Sequence, residues 1–125
     1  MTSIRKPTNG ELQVLGVLWE LGPATVRQVQ AHLGGEAGYT TILKLMQIMT
    51  EKGILNRTAH GRLHVYRPAQ SQAKTQNHLL LELINKAFGG SVQKLIVAAL
   101  NSKKASEADL TEIRRLLHEA EVGGK

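Results

Sequence analysis

The stretch Tyr39-Thr40-Thr41-Ile42-Leu43-Lys44-Leu45-Met46-Gln47-Ile48-Met49-Thr50-Glu51-Lys52-Gly53-Ile54-Leu55-Asn56-Arg57-Thr58-Ala59-His60-Gly61-Arg62-Leu63-His64-Val65-Tyr66-Arg67-Pro68 changes periodicity in its middle. Before Gly53, the residues Ile42, Leu45, Met46 and Met49 recur at i, i+3, i+4 and i+7, the spacing of a helix with one apolar stripe against a core. Thr40, Lys44 and Gln47 fall on another face of that helix. Gly53 stops it. Beyond Gly53, two short runs with partial alternation flank a turn that contains Gly61, which predicts a β-hairpin.

Upstream, Thr8 and Glu11 stand three apart, so that each side chain can satisfy a free backbone N–H of a new helix. Leu12, Leu15, Leu18 and Trp19 follow at helical spacing, and Gly22-Pro23 ends the run. Thr25 and Gln28 repeat the capping pattern and open a short helix through Val26, Val29 and Leu33, which Gly34-Gly35 closes. Three helices followed by a hairpin is the order of a winged helix-turn-helix. Downstream of Pro68 the pattern is helical throughout. A long helix is expected from Ser71 to Phe88, broken by Gly89-Gly90. Ser91 caps a helix from Val92 to about Asn101, and Ser106 with Asp109 caps a last one through Leu110, Ile113, Leu116, Leu117 and Ala120. The expected fold class is therefore mainly α with a small β-hairpin. A winged-helix DNA-binding domain over residues 1–69 would precede a helical dimerisation domain over residues 70–125.

Composition agrees with this reading. The 125 residues are 42% hydrophobic and 21% charged, enough apolar material for a core. Trp19, Tyr39, Tyr66 and Phe88 are the four aromatics, so the core must be aliphatic. There is no cysteine, which excludes disulfides, thiolate metal sites and thiol catalysis. The residues Met1 to Leu12 lack the apolar run of a signal peptide, and no apolar run approaches the roughly 20 residues of a membrane span. The expectation is a soluble, cytoplasmic protein without membrane insertion. Sixteen Lys and Arg against ten Asp and Glu leave +6, which favours an anionic partner without choosing among nucleic acid, membrane and acidic protein.

Position makes the choice. A helix in a DNA major groove needs short polar or cationic side chains on its outward face, because base edges present hydrogen-bonding groups and thymine a methyl. Tyr39, Thr40, Thr41, Leu43, Lys44 and Gln47 are the candidates on the third helix. A plainer reading makes Thr40 the helix cap and Lys44 and Gln47 an ordinary solvated face. From Arg57 to Arg67 the hairpin carries three arginines and two histidines without one acidic residue, as a wing against phosphate requires. Arg57, His60 and Arg62 are its candidates, while Tyr66 is expected to pack on the helices. His60 and His64 lack the spacing of a metal pair, and His32, His78 and His118 are isolated, so no metal site is expected. No nucleophile elbow, zinc-protease or P-loop motif is present, and neither catalysis nor a cofactor is expected. The downstream leucines and isoleucines exceed what three short helices can bury alone. Leu80, Ile84, Phe88, Leu95, Ile96, Leu100, Leu110, Ile113 and Leu117 are expected to form a homodimer interface.

Several of these pieces together resemble the penicillinase-repressor (BlaI/MecI/CopY) family. They are residues 11–19, Thr25 to Val29, Tyr39 to Lys44, Met49 to Gly53, Gly61-Arg62, His64 to Pro68 and the break Phe88-Gly89-Gly90-Ser91. The resemblance spans about residues 8–120. It implies a dimeric winged-helix repressor whose third helix reads a palindromic double-stranded DNA operator. It also implies release by a membrane sensor metalloprotease that triggers cleavage within the dimerisation helices. Two departures bear on that release. Ala98-Ala99 stands where the best-known members carry the Asn-Phe pair that is cut, and the C-terminal cysteines of the copper-responsive branch are missing. Ile48 stands where many relatives have Arg, so their operator sequence does not carry over. A winged helix that binds an acidic protein is the alternative.

Overall fold

Each of the first two helices begins where a side chain closes its open end. In the computed structural model, which describes residues 7–123, α1 (Asn9–Leu21) starts at Thr8. Thr8 Oγ1 accepts from the Glu11 amide at 3.2 Å and Glu11 Oε1 accepts from the Thr8 amide at 3.0 Å. Thr25 and Gln28 form the same reciprocal pair at the start of α2 (Val26–His32). The third helix, α3 (Tyr39–Glu51), has Gly38 as its N-cap and no capping side chain. Thr40 is therefore inside the helix and exposed, and capping does not account for it.

Strands β1 (Leu55–His60) and β2 (Leu63–Pro68) pair antiparallel, with Leu55 opposite Pro68 and His60 opposite Leu63. Gly61 and Arg62 are the two loop residues. Gly61 has φ 64° and is followed by a residue without positive φ, the arrangement of a type II′ turn, in which glycine takes the first position. Ala24, between α1 and α2, adds a third strand one residue long. Its amide donates to the Tyr66 carbonyl at 3.0 Å and its carbonyl accepts from the Tyr66 amide at 2.8 Å.

The core lies where α1, α2, α3 and the base of the hairpin meet. Val14, Leu15 and Leu18 of α1 pack with Val29 of α2, with Ile42, Met46 and Met49 of α3, and with Leu55 and Tyr66 of the hairpin. Full burial of each of these large side chains contributes about 1.5–3 kcal/mol. Tyr66 is 1% exposed, so its ring belongs to the core as its position in the hairpin suggested. Glu11 is buried as well, and its second oxygen accepts from Lys52 Nζ at 2.8 Å, which ties the start of α1 to the end of α3. Burial alone would push the Glu11 carboxyl up. The Lys52 ammonium and the Thr8 amide outweigh burial and hold it below its ordinary value.

Helices α4 (Gln72–Ala87), α5 (Val92–Asn101) and α6 (Glu107–Gly123) complete the chain. Ser91 caps α5 by accepting from the Lys94 amide, and Ser106 and Asp109 cap α6 reciprocally. The chain divides into two compact units, residues 1–79 and 80–125, with the division inside α4. The outer ends of the two expected domains, residues 1–6 and 124–125, lie outside the described residues. No described helix is long and apolar enough to cross a membrane.

Candidate nucleic-acid interface

Because Ile42, Met46 and Met49 turn inward, helical geometry sends Thr40, Lys44 and Gln47 to the opposite side of α3, where all three are exposed. Thr41 is exposed beside them. Tyr39 is 39% exposed, and Leu43 is half-buried against the core, so Leu43 offers only part of its side chain to a partner. Ile48 is also 39% exposed, an apolar side chain on a face otherwise polar.

The hairpin register sorts the wing. Arg57 pairs with Tyr66 and Ala59 with His64, whereas Asn56 pairs with Arg67 and His60 with Leu63. Side chains alternate along a strand, so Arg57 and His64 share one face of the hairpin while His60 and Arg67 lie on the other. Arg57, His60 and Arg62 are all exposed, with Arg62 at the tip. His60 and His64 point to opposite faces, and the described residues contain no group of three or more potential metal ligands. The two candidate elements, α3 and the wing, belong to the same compact unit.

Between the wing, α2 and the start of α3 runs an open groove of about 600 Å³. Arg27, Gln28 and Tyr39 line its helical side, and Arg62, Leu63 and His64 line its wing side. The Arg27 guanidinium lies over the Tyr39 ring, 4.9 Å from its centroid. Arg27, Gln28 and His64 were not among the sequence candidates. Arg27 sits on the second helix, and its partner Tyr39 is twelve residues away, too far for any local motif to join them.

The expected dimer residues follow a different pattern. Leu80, Ile96, Leu100 and Leu117 are between 43% and 60% exposed. Phe88, Leu95, Leu110 and Ile113 are half-buried, and Ile84 is already buried within the protomer. Neither α5 nor α6 has a buried residue.

A buried three-helix core, a polar outward helix face and a basic two-stranded wing define a winged-helix DNA-binding protein. The fold is similar to that of a MarR family protein from Bacillus stearothermophilus, with a TM-score of 0.52 over 95% of this chain and 76% of that one, at 18% identity. The profile of the penicillinase repressor family matches residues 7–119. Transcriptional regulator BlaI of Mycobacterium tuberculosis is 31% identical over 117 residues, 90% of this chain and 83% of its own. A penicillinase repressor of Bacillus licheniformis is 22% identical over 121 residues, 95% of this chain and 94% of its own. The chain belongs to the penicillinase repressor family, whose members are transcriptional repressors and not enzymes.

Proposed function

We propose that the protein is a cytoplasmic repressor that binds an inverted-repeat operator as a homodimer. Each protomer would place Tyr39 to Gln47 in a major groove and the tip His60 to Arg62 against the adjacent backbone, with half-sites about one helical turn apart. The observation that carries this reading is the division of α3 into a fully buried face and an exposed face of short polar and cationic side chains. Domain roles follow: residues 1–69 bind DNA and residues 70–125 pair the protomers, which supports twofold symmetry in the operator. Release by a membrane sensor metalloprotease rests on the family. Ala98 and Ala99, exposed on α5, stand where the best-known members carry the pair that is cut, so cutting at this position does not carry over with the family.

Selection from a randomised duplex library at near-physiological salt, followed by sequencing, tests the reading. Enrichment of an inverted repeat is expected. Lys44→Ala or Gln47→Ala should then weaken binding by about 1–3 kcal/mol and change which operator positions tolerate substitution. Binding that stays sequence-independent at every salt concentration would replace the repressor reading with that of a module for an acidic protein.

A further inference from the structure

We infer that the groove between the wing and α2 seats one sugar–phosphate strand of the duplex, with Arg27, braced on the Tyr39 ring, as its phosphate contact. This rests on the DNA-binding reading and gives it a residue outside α3 and the wing. Three observations carry it. Arg27, Arg62 and His64 bring cationic or protonatable groups to the groove, and among the described residues no carboxylate lines it. Leu43 and Leu63 supply apolar lining between them, which suits a strand that alternates anionic phosphate with the hydrocarbon face of deoxyribose. Arg27 has no ion-pair partner among the described residues, whereas Lys52 is committed to Glu11.

The stack on Tyr39 explains how an exposed, flexible side chain can serve here. A guanidinium over an aromatic face is attracted by the ring quadrupole and keeps its N–H edge free to donate. The ring limits the positions Arg27 can sample, so less freedom is lost when phosphate arrives. Tyr39 is then a positioning residue for Arg27, and its ring matters more than its hydroxyl.

The test is the salt dependence of binding to the selected duplex and to a mixed-sequence duplex. Arg27→Ala should weaken both and, because a homodimer carries the change twice, make the slope of log K against log salt shallower by about two. Arg27→Lys, which keeps the charge without the planar fork, should retain the slope. Tyr39→Phe, which keeps the ring, should leave the Arg27-dependent part of the slope in place, whereas Tyr39→Leu should weaken binding less than Arg27→Ala does, with little further loss when Tyr39→Leu and Arg27→Ala are combined. A scan of single methylphosphonates along the duplex should find a phosphate whose neutralisation weakens the parent but not Arg27→Ala. An unchanged slope in folded Arg27→Ala, with the parent binding normally, overturns this inference and leaves the repressor reading intact. A parent that binds neither duplex overturns the repressor reading itself.

Discussion

The two halves of this chain draw on the same aliphatic residues and dispose of them in opposite ways. In the winged-helix unit Val14, Leu18, Val29, Met46, Met49 and Leu55 are all at most 1% exposed, because four elements converge on one point. In the second unit Leu81, Leu83, Val92, Val97, Leu116 and Val122 are all nearly half exposed or more. The first half therefore buries its own apolar surface, while the second half presents such surface along helices. Hydrophobic residues stabilise a protomer only where something covers them, and contiguous apolar patches on a lone chain are the mark of an interface. The difference separates a unit whose core is complete in one chain from a unit whose apolar side chains stay exposed on it, which is the surface the proposed homodimer would cover.

The strongest way to break this comparison is to damage each half in turn. Leu18→Ala removes a side chain that is 1% exposed and should cost about 2–5 kcal/mol, read as a lowered midpoint in urea that does not change with protein concentration. Ile96→Asp and Leu100→Asp in α5, where both residues are 44–45% exposed, should instead turn a dimer into a monomer by sedimentation. Wing-unit stability should survive. If both α5 variants remain dimeric, the pairing surface lies elsewhere and the contrast between the halves loses its explanation.

A smaller effect sharpens the account of the first half. Glu11→Gln loses the charge that accepts from Lys52 and should destabilise the unit by about 1.5–3 kcal/mol near neutral pH. The sign of the pH dependence follows from the lowered carboxyl. Its contribution is complete above the ordinary carboxylate value and is lost as pH falls through the lower folded value. The parent should thus lose stability in that acid window, and Glu11→Gln should lose correspondingly less there. Equal acid sensitivity in the two proteins would assign the window to other carboxylates. The least effect is expected at the turn, where Gly61→Ala forces a side chain into positive φ and should cost about 1 kcal/mol without changing the salt slope of DNA binding.

Much of this architecture is legible in residue spacing. Thr8 with Glu11, Thr25 with Gln28 and Ser106 with Asp109 mark helix starts through local chemistry, and each pair forms the reciprocal bonds its spacing implies. The stripe of Ile42, Met46 and Met49 fixes which way Lys44 and Gln47 face. What escapes is set by contacts between distant residues. Ala24 is a strand of one residue, too short to have a period, and only its partner Tyr66 gives it an identity. Glu11 reads locally as half of a capping box, yet its second oxygen reaches Lys52 across forty-one positions. Arg27 looks like any solvated cation until α3 brings Tyr39 beneath it. Ile84 illustrates the converse, since its apolar character predicts burial without saying whether its own chain or another provides it.

The bridge at Ala24 gives the wing a fulcrum. Two hydrogen bonds pin β2 at Tyr66 to the segment between α1 and α2, while nothing described beyond the two strands holds the tip at Gly61 and Arg62 by a hydrogen bond. Amide exchange within the hairpin should therefore run slowest at Tyr66 and fastest toward Arg62. In the proposed complex, a wing anchored at its base and held at its tip only by its own strand pairing would let the tip follow local variation in backbone path from one binding site to the next while α3 keeps its register in the major groove.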